Sequence, residues 1–179
     1  MEIATERLTI RPFKITDLQD VFNIYNNEET CRYLLHEKWT CENMQELFQK
    51  KLENCSLTKE TGLSLAVVDS TSLIGDLSIW FTGVKNTVEI GYSFSVQNSG
   101  KGYATEAVSQ LVKYLFKEVK VHRIQATLDA RNLASQKLCE RIGMRKEAHF
   151  KQDYWSKGEW TDSIVYGMLV EDLEKEDNN

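Results

Sequence analysis

Val88-Glu89-Ile90-Gly91-Tyr92-Ser93-Phe94-Ser95-Val96, running on into Gln97-Asn98-Ser99-Gly100-Lys101-Gly102, is the stretch around which the other segments arrange themselves. Its first part is an apolar strand. Its second is a glycine-bearing loop that opens into a helix, where Ala104, Ala107, Val108, Leu111, Val112, Leu115, Phe116 and Val119 recur at helical spacing and make one apolar face. The first-turn N–H groups of such a helix have no partner within it. Together with the positive end of the helix dipole and glycines that let a ligand approach, they favour a phosphate or pyrophosphate. An ordinary strand-to-helix turn with two glycines is the plainer alternative. A Walker-type loop is excluded, because Lys101 lies between the glycines and Tyr103 follows them; a dinucleotide fingerprint is excluded by Thr105 where its third glycine belongs.

Upstream, Leu8–Phe13 alternates as a first strand, and Thr16 with Gln19 makes a capping box for a helix burying Leu18, Val21, Phe22 and Tyr25. A second helix is expected from Thr40, carrying Met44, Leu47, Phe48 and Leu52. The connection Cys31–Trp39 holds aromatics and a histidine, which either line a cleft or pack beneath a loop. Leu63–Val68 and Leu73–Phe81 read as an antiparallel pair feeding the central strand. Downstream, His122–Asp129 is a strand, so strand, helix and strand form a parallel pair with a right-handed crossover. Asn132 then caps a helix that Gly143 stops, and Met144–Trp155 with Trp160–Val170 makes a final hairpin.

The 179 residues suit one domain, 1–179, with its core at about 5–170 and an acidic tail at 171–179. A net charge of −5 argues against non-specific nucleic-acid binding, which needs a basic surface. No apolar run reaches membrane-spanning length and no leader-like segment opens the chain, so a cytoplasmic protein is expected. Cys31, Cys41, Cys55 and Cys139 lack metal or redox spacing, which leaves reduced, mostly structural thiols and no expected metal.

Gln97-x-x-Gly100-x-Gly102-x-Ala104 resembles the acetyl-coenzyme A loop of the GNAT superfamily of N-acetyltransferases. Asn132-x-x-Ser135-x-x-Leu138, followed by Ile142-Gly143-Met144 and Glu147, resembles the same superfamily independently. Thr5-Glu6-Arg7-Leu8-x-x-Arg11 and Gly158-x-x-x-Asp162-x-x-x-Tyr166 are similar to the RimJ/RimL branch, which acetylates protein N-termini. Nearly the whole chain is covered.

The resemblance implies an α/β (α+β) GNAT fold. Its mixed, mostly antiparallel sheet of seven strands would be splayed between the fourth and fifth, with about four helices around it. Acetyl-CoA would lie in the splay, its pantetheine arm along Phe94, Ser95 and Val96. The loop and first helical turn, through Gln97, Gly100, Lys101, Gly102, Tyr103, Ala104 and Thr105, would hold its pyrophosphate, with Asn132, Ser135 and Leu138 completing the site. Lys101 either adds charge there or is simply solvated. Ser135 matches the serine placed near the sulfur, as proton donor or as helix cap; Glu89 is either a water-linked base or a structural ion pair; a backbone N–H between Ser93 and Ser95 is the candidate oxyanion donor. Where some relatives carry an acidic residue on the sixth strand, Tyr154 rather than Asp153 stands here. Trp39 and Tyr92 are the candidate acceptor-side residues, while Asp162, Tyr166 and His149 are expected to organise the sheet.

The expected acceptor is a protein or peptide N-terminal amine. An α-amine, with a reference pKa of about 7.7–8.0 against about 10.4 for lysine, is easier to deprotonate by roughly 3 kcal/mol. A small amine such as a polyamine, an amino acid analogue or an antibiotic is the alternative, and a non-catalytic coenzyme A sensor is a third reading. Relatives of this type are often dimers, so a homodimer is an open option.

Overall fold

The computed structural model describes residues 1–176, with side chains through 173. Its single sheet has the order β1-β2-β3-β4-β5-β6-β8-β7, formed by β1 (Ile3–Ala4), β2 (Thr9–Pro12), β3 (Leu63–Val68), β4 (Leu73–Phe81), β5 (Thr87–Phe94), β6 (Arg123–Asp129), β7 (Arg145–Ser156) and β8 (Glu159–Leu169). Seven of these were expected. The eighth, β1, is two residues at the sheet edge, too short to show a period of two. β5 and β6 are parallel and every other neighbouring pair is antiparallel.

Among the described residues six α-helices flank the sheet: α1 (Leu18–Tyr25), α2 (Glu28–Cys31), α3 (Met44–Glu53), α4 (Tyr103–Tyr114), α5 (Leu133–Arg141) and α6 (Val170–Glu176). α4 carries the chain from β5 across to β6, as the pattern of apolar residues requires. α4 continues into a π turn, Leu115–Val119, and buries Ala107, Val108, Leu111 and Val112 against one face of the sheet, where α5 adds Leu138 and Cys139. On the other face Val21, Phe22, Tyr25, Trp39 and Phe48 pack with Ala66 and Leu73. β3 supplies both layers, Leu65 and Val67 to one and Ala66 to the other, because successive side chains point to opposite faces.

The start of α1 differs from the capping box expected at Thr16. Asp17 accepts the Lys14 N–H at 2.7 Å and pairs with Arg11 at 2.7 and 2.9 Å, so a 3-10 turn over Ile15–Asp17 precedes the helix. α3 begins at Met44 rather than Thr40, whose N–H is held by Asn43 Oδ1 at 2.9 Å. α2, capped by Asn27, was not expected: four residues are too few for a helical period to show. The acidic end forms α6 up to Glu176, and the part of the expected tail at 177–179 lies outside the described residues. Among the described residues no helix is long and apolar enough to cross a membrane. All four cysteines are free; Cys31 and Cys139 are buried, Cys41 and Cys55 exposed.

Candidate active site

β5 and β6 pair only at Thr87 with Arg123, Val88 with Ile124 and Glu89 with Gln125, although both strands run on. Beyond Glu89 they splay, opening a gap beside Ile90–Phe94. At the far end of β5 the chain makes a 3-10 turn, Val96–Asn98, and passes through Gly100 (φ 75°) and Gly102 (φ 79°) into α4. Both glycines occupy the left-handed region that other residues enter at a cost. A Cβ on Gly100 would meet open space, so the loop presents its backbone outward. The first ladder bond of α4 runs from Glu106 N–H to Gly102 O at 3.0 Å, which leaves the N–H groups of Tyr103, Ala104 and Thr105 ahead of the ladder. Lys101 Nζ bonds Asn98 Oδ1 at 3.0 Å, and Arg141 reaches the Thr105 hydroxyl at 2.9 Å. A loop of this shape at a helix start fits a diphosphate.

The splay opens into a cavity of about 560 Å³, within the range of small-molecule sites. Ile90–Ser93 of β5, Thr127–Asp129 of β6 and Asn132 with Ser135 of α5 form one side. Tyr25, the segment Arg32–His36, Lys51, Asp76 and Trp80 form the other, and Tyr154, Lys157 and Glu159 of the β7–β8 hairpin close the rim. Glu89, Tyr92, Asn132 and Ser135 thus share one cavity. Phe94, Ser95, Val96 and the loop Gln97–Thr105 continue from its edge without lining it.

At α5 the cap is Asn132, whose Oδ1 accepts the Ser135 N–H at 3.1 Å, so the Ser135 hydroxyl is not what caps the helix. The Tyr92 hydroxyl lies 3.3 Å from both the Ser135 carbonyl and Cys139 Sγ. Burial pushes the Tyr92 phenol well above its ordinary pKa, and burial likewise pushes the Cys139 thiol up to about 11. Both therefore stay protonated at neutral pH. Glu89 Oε2 accepts from Gln125 Nε2 at 2.8 Å, and among the described residues no cation pairs with it. The other cavity carboxylates have cation partners: Asp76 pairs with Lys51 at 2.5 Å, and Asp129 and Glu159 share Arg131 at 2.8 and 2.7 Å.

The Asp76 network escaped the reading of the sequence. Its two carboxylate oxygens lie 2.9 and 2.8 Å from the Tyr25 hydroxyl, and Lys51 Nζ stands 4.8 Å from the centre of the Tyr25 ring. Asp76 is 3% exposed. Burial works against the Lys51 ammonium, but Asp76 outweighs it and holds the lysine above its ordinary value; burial and then Asp76 push the Tyr25 phenol up. A carboxylate in the middle of the otherwise apolar Leu73–Phe81 was the available signal.

Two expected site residues stand behind the wall. Trp39 is buried and stacks on Tyr25, ring centres 4.9 Å apart, so of the connection's aromatics it is Tyr33 that reaches the cavity. Leu138 is buried in the core on the inner side of α5. On the hairpin, Tyr154 lines the cavity while Asp153 accepts the Ser163 N–H at 2.9 Å. Asp162 gathers His149, Lys151 and the Gln152 N–H, and the buried Tyr166 donates to Glu140 at 2.9 Å; these are sheet-organising contacts. Among the described residues no cluster of three or more His, Cys, Asp or Glu side chains is placed to hold a metal ion.

Comparison with known proteins agrees with this geometry. The family model described as acetyltransferase (GNAT) domain matches residues 7–145. An uncharacterized N-acetyltransferase of Bacillus subtilis, YnaD, is 33% identical over 96% of this chain and 99% of its own. A GNAT-family acetyltransferase structure from Bacillus anthracis superposes with a TM-score of 0.86 at 32% identity, covering 96% of this chain and 99% of that one. Two solved structures of lower identity share the fold. One is RimL, a ribosomal L7/L12 alpha-N-protein acetyltransferase in complex with coenzyme A (TM-score 0.83, 17% identity, 97% and 99% covered). The other is a Vibrio cholerae spermidine N-acetyltransferase in complex with CoA and spermine (TM-score 0.79, 21% identity, 95% and 99% covered). A splayed parallel pair, a glycine loop at a helix start and a matched family model lead to one conclusion: the chain belongs to the GNAT family and is an acetyl-CoA-dependent N-acetyltransferase.

Proposed function

We propose that the acceptor is the N-terminal α-amine of a protein or peptide. The observation that carries this is the charge inventory of the cavity. Of its four carboxylates, Asp76 is paired with Lys51, Asp129 and Glu159 share Arg131, and Glu89 alone touches no cation among the described residues and is held by an amide. One carboxylate without a cation suits one ammonium. A polyamine, with several, would gain from several, since each exposed ion pair contributes only about 0.2–1 kcal/mol. RimL, which shares the fold, is named for an alpha-N-protein substrate. The fold it shares with the spermidine enzyme keeps a small amine as the second reading.

Bound acetyl-CoA supplies a thioester carbonyl already activated towards an amine. The chain's own groups do the rest. The backbone of Gly100–Thr105 receives the diphosphate, helped by the Lys101 side chain, with Gln97 shaping the loop's entry. Phe94, the last residue of β5, offers strand edge to the amides of the pantetheine arm, while Ser95 and Val96, whose carbonyls accept from Asn98 and Ser99, turn the chain towards the loop, and Leu138 supports that side from within the core. Glu89 accepts the proton the amine must lose, through water. A β5 N–H at Ser93 or Phe94 would donate to the carbonyl oxygen as negative charge grows there, the Ser95 N–H being committed to the Ile74 carbonyl at 2.8 Å. Ser135, released from capping by Asn132, hands its proton to the departing thiolate, and Tyr92 orients that end of α5. Trp39 holds Tyr25 in the acceptor wall by stacking on it. Free thiols and a site for acetyl-CoA fit a cytoplasmic enzyme.

The test is acetyl-CoA-dependent thiol release with peptides differing in their first two residues, run beside polyamines, amino acid analogues and aminoglycosides. Release with particular peptides is expected. Release confined to the small amines would overturn the acceptor assignment, and tight cofactor binding without any acceptor-dependent release would point to a sensor.

A further inference from the structure

The N-terminal motif Thr5-Glu6-Arg7 lies far from the glycine loop in sequence and against it in space. Glu106 sits in the first turn of α4, where a carboxylate would repel an anion arriving at the same helix end. The N-terminal segment consumes that carboxylate. Thr5 Oγ1 donates to Oε1 at 2.5 Å, the Arg7 N–H donates to Oε1 at 2.9 Å, and Arg7 Nε and Nη2 reach Oε2 at 2.7 and 2.6 Å. Burial works to raise the Glu106 carboxyl, and these donors outweigh it and hold it below the usual carboxylate range. The same guanidinium donates Nη1 to the Lys101 carbonyl at 2.9 Å, lies 4.6 Å from the centre of the Tyr103 ring and covers Gly102, with Nη2 3.5 Å from where a Cβ would stand there. One side chain therefore touches Lys101, Gly102, Tyr103 and Glu106.

We infer that Thr5–Arg7 is a positioning clasp of the cofactor site, cancelling the Glu106 charge and fixing the Lys101–Gly102 backbone so that the first turn of α4 can accept a diphosphate. The inference rests on the reading of Gly100–Thr105 as the diphosphate cradle. It explains why a segment outside the cavity carries an arginine and a threonine converging on a single carboxylate.

Calorimetric binding of coenzyme A and of pantetheine, which lacks the diphosphate, tests it. Arg7→Ala is expected to weaken coenzyme A about tenfold and leave pantetheine unchanged. Arg7→Ala with Glu106→Gln recovers coenzyme A affinity to within about threefold of wild type, because the uncompensated charge is gone. Wild-type coenzyme A affinity in Arg7→Ala, equal losses for both ligands, or a double variant as weak as the single one would overturn the clasp. Should Arg7→Ala not fold, Glu106→Gln alone carries the test: binding at least as tight as wild type supports charge cancellation, and weaker binding overturns it. Failure of the wild-type protein to bind coenzyme A would instead remove the cradle reading itself.

Discussion

The two ends of the site are built by different means. At the proposed cofactor end, the loop and helix start are one continuous segment, Gln97–Thr105, and their chemistry is that of backbone N–H groups held by two left-handed glycines. At the proposed acceptor end, the cavity wall comes from α1, the segment after α2, α3, β4 and the β7–β8 hairpin, and its chemistry is that of side chains. A backbone site needs only a short stretch of chain in the right order. A side-chain site needs the whole fold, so each of its residues is committed by packing and pairing as well as by any substrate.

That difference sets what substitutions should do. The largest effect is expected at Asp76. Asp76→Ala leaves the Lys51 ammonium buried without its partner and should lower unfolding free energy by about 3–5 kcal/mol in denaturant titration. A loss below about 1 kcal/mol would show that the acceptor wall is not held by this pair. Ser135→Ala comes next. Its kcat should fall about a hundredfold with the KM for acetyl-CoA little changed and the melting curve intact, since Asn132 still caps α5. An equal fall in kcat/KM through KM alone would make Ser135 a binding residue and erase its distinction from the loop.

Gly102→Ala tests the cofactor end on its own terms. A side chain at φ 79° strains the backbone by about 1–2 kcal/mol, and coenzyme A affinity should drop accordingly while pantetheine affinity holds. The smallest effect is on acid stability. Glu106 at the cofactor end and Asp129 at the acceptor end are both held below the usual carboxylate range, against burial, by Thr5 with Arg7 and by Arg131 respectively. Their folded pKa values lie beneath the unfolded ones. The stabilisation is therefore fully present above about pH 4 and lost as pH falls through the lower folded values. Thermal melts between pH 2 and 6 should show a shallower acid limb in Arg7→Ala and in Arg131→Ala, and unchanged limbs in both would remove these pairs from the account.

What could be read from the sequence follows the same division. The bounds of β3 and β4 were legible to the residue because two apolar runs flank a short polar turn; the loop and α4 were legible because glycines, spacing and apolar face lie within one stretch. The cap of α1 was misread because Asp17 is drawn to Arg11, a partner fixed by the strand rather than by the helix. Trp39 was expected in the cleft and stacks behind Tyr25 instead, because residue type says that an aromatic will be buried but not which layer will bury it. The Tyr25–Lys51–Asp76 group joins residues 25 to 51 positions apart, and no local pattern records that. Glu89 was found as a candidate through the family resemblance, with an ion pair as the alternative; the partner it has, the Gln125 amide, lies across the crossover.

The three paired positions that join β5 to β6 make the sheet two half-sheets sharing a short seam. On the proposed placement of acetyl-CoA in the gap, the ligand would act as an additional strand-length of fastening across this seam. Folding and metabolism then become linked: at a concentration a hundred times its dissociation constant, acetyl-CoA would add about 2.7 kcal/mol to the stability of the folded chain. The cell's supply of acetyl donor would set how firmly this protein is held together as well as how fast it works.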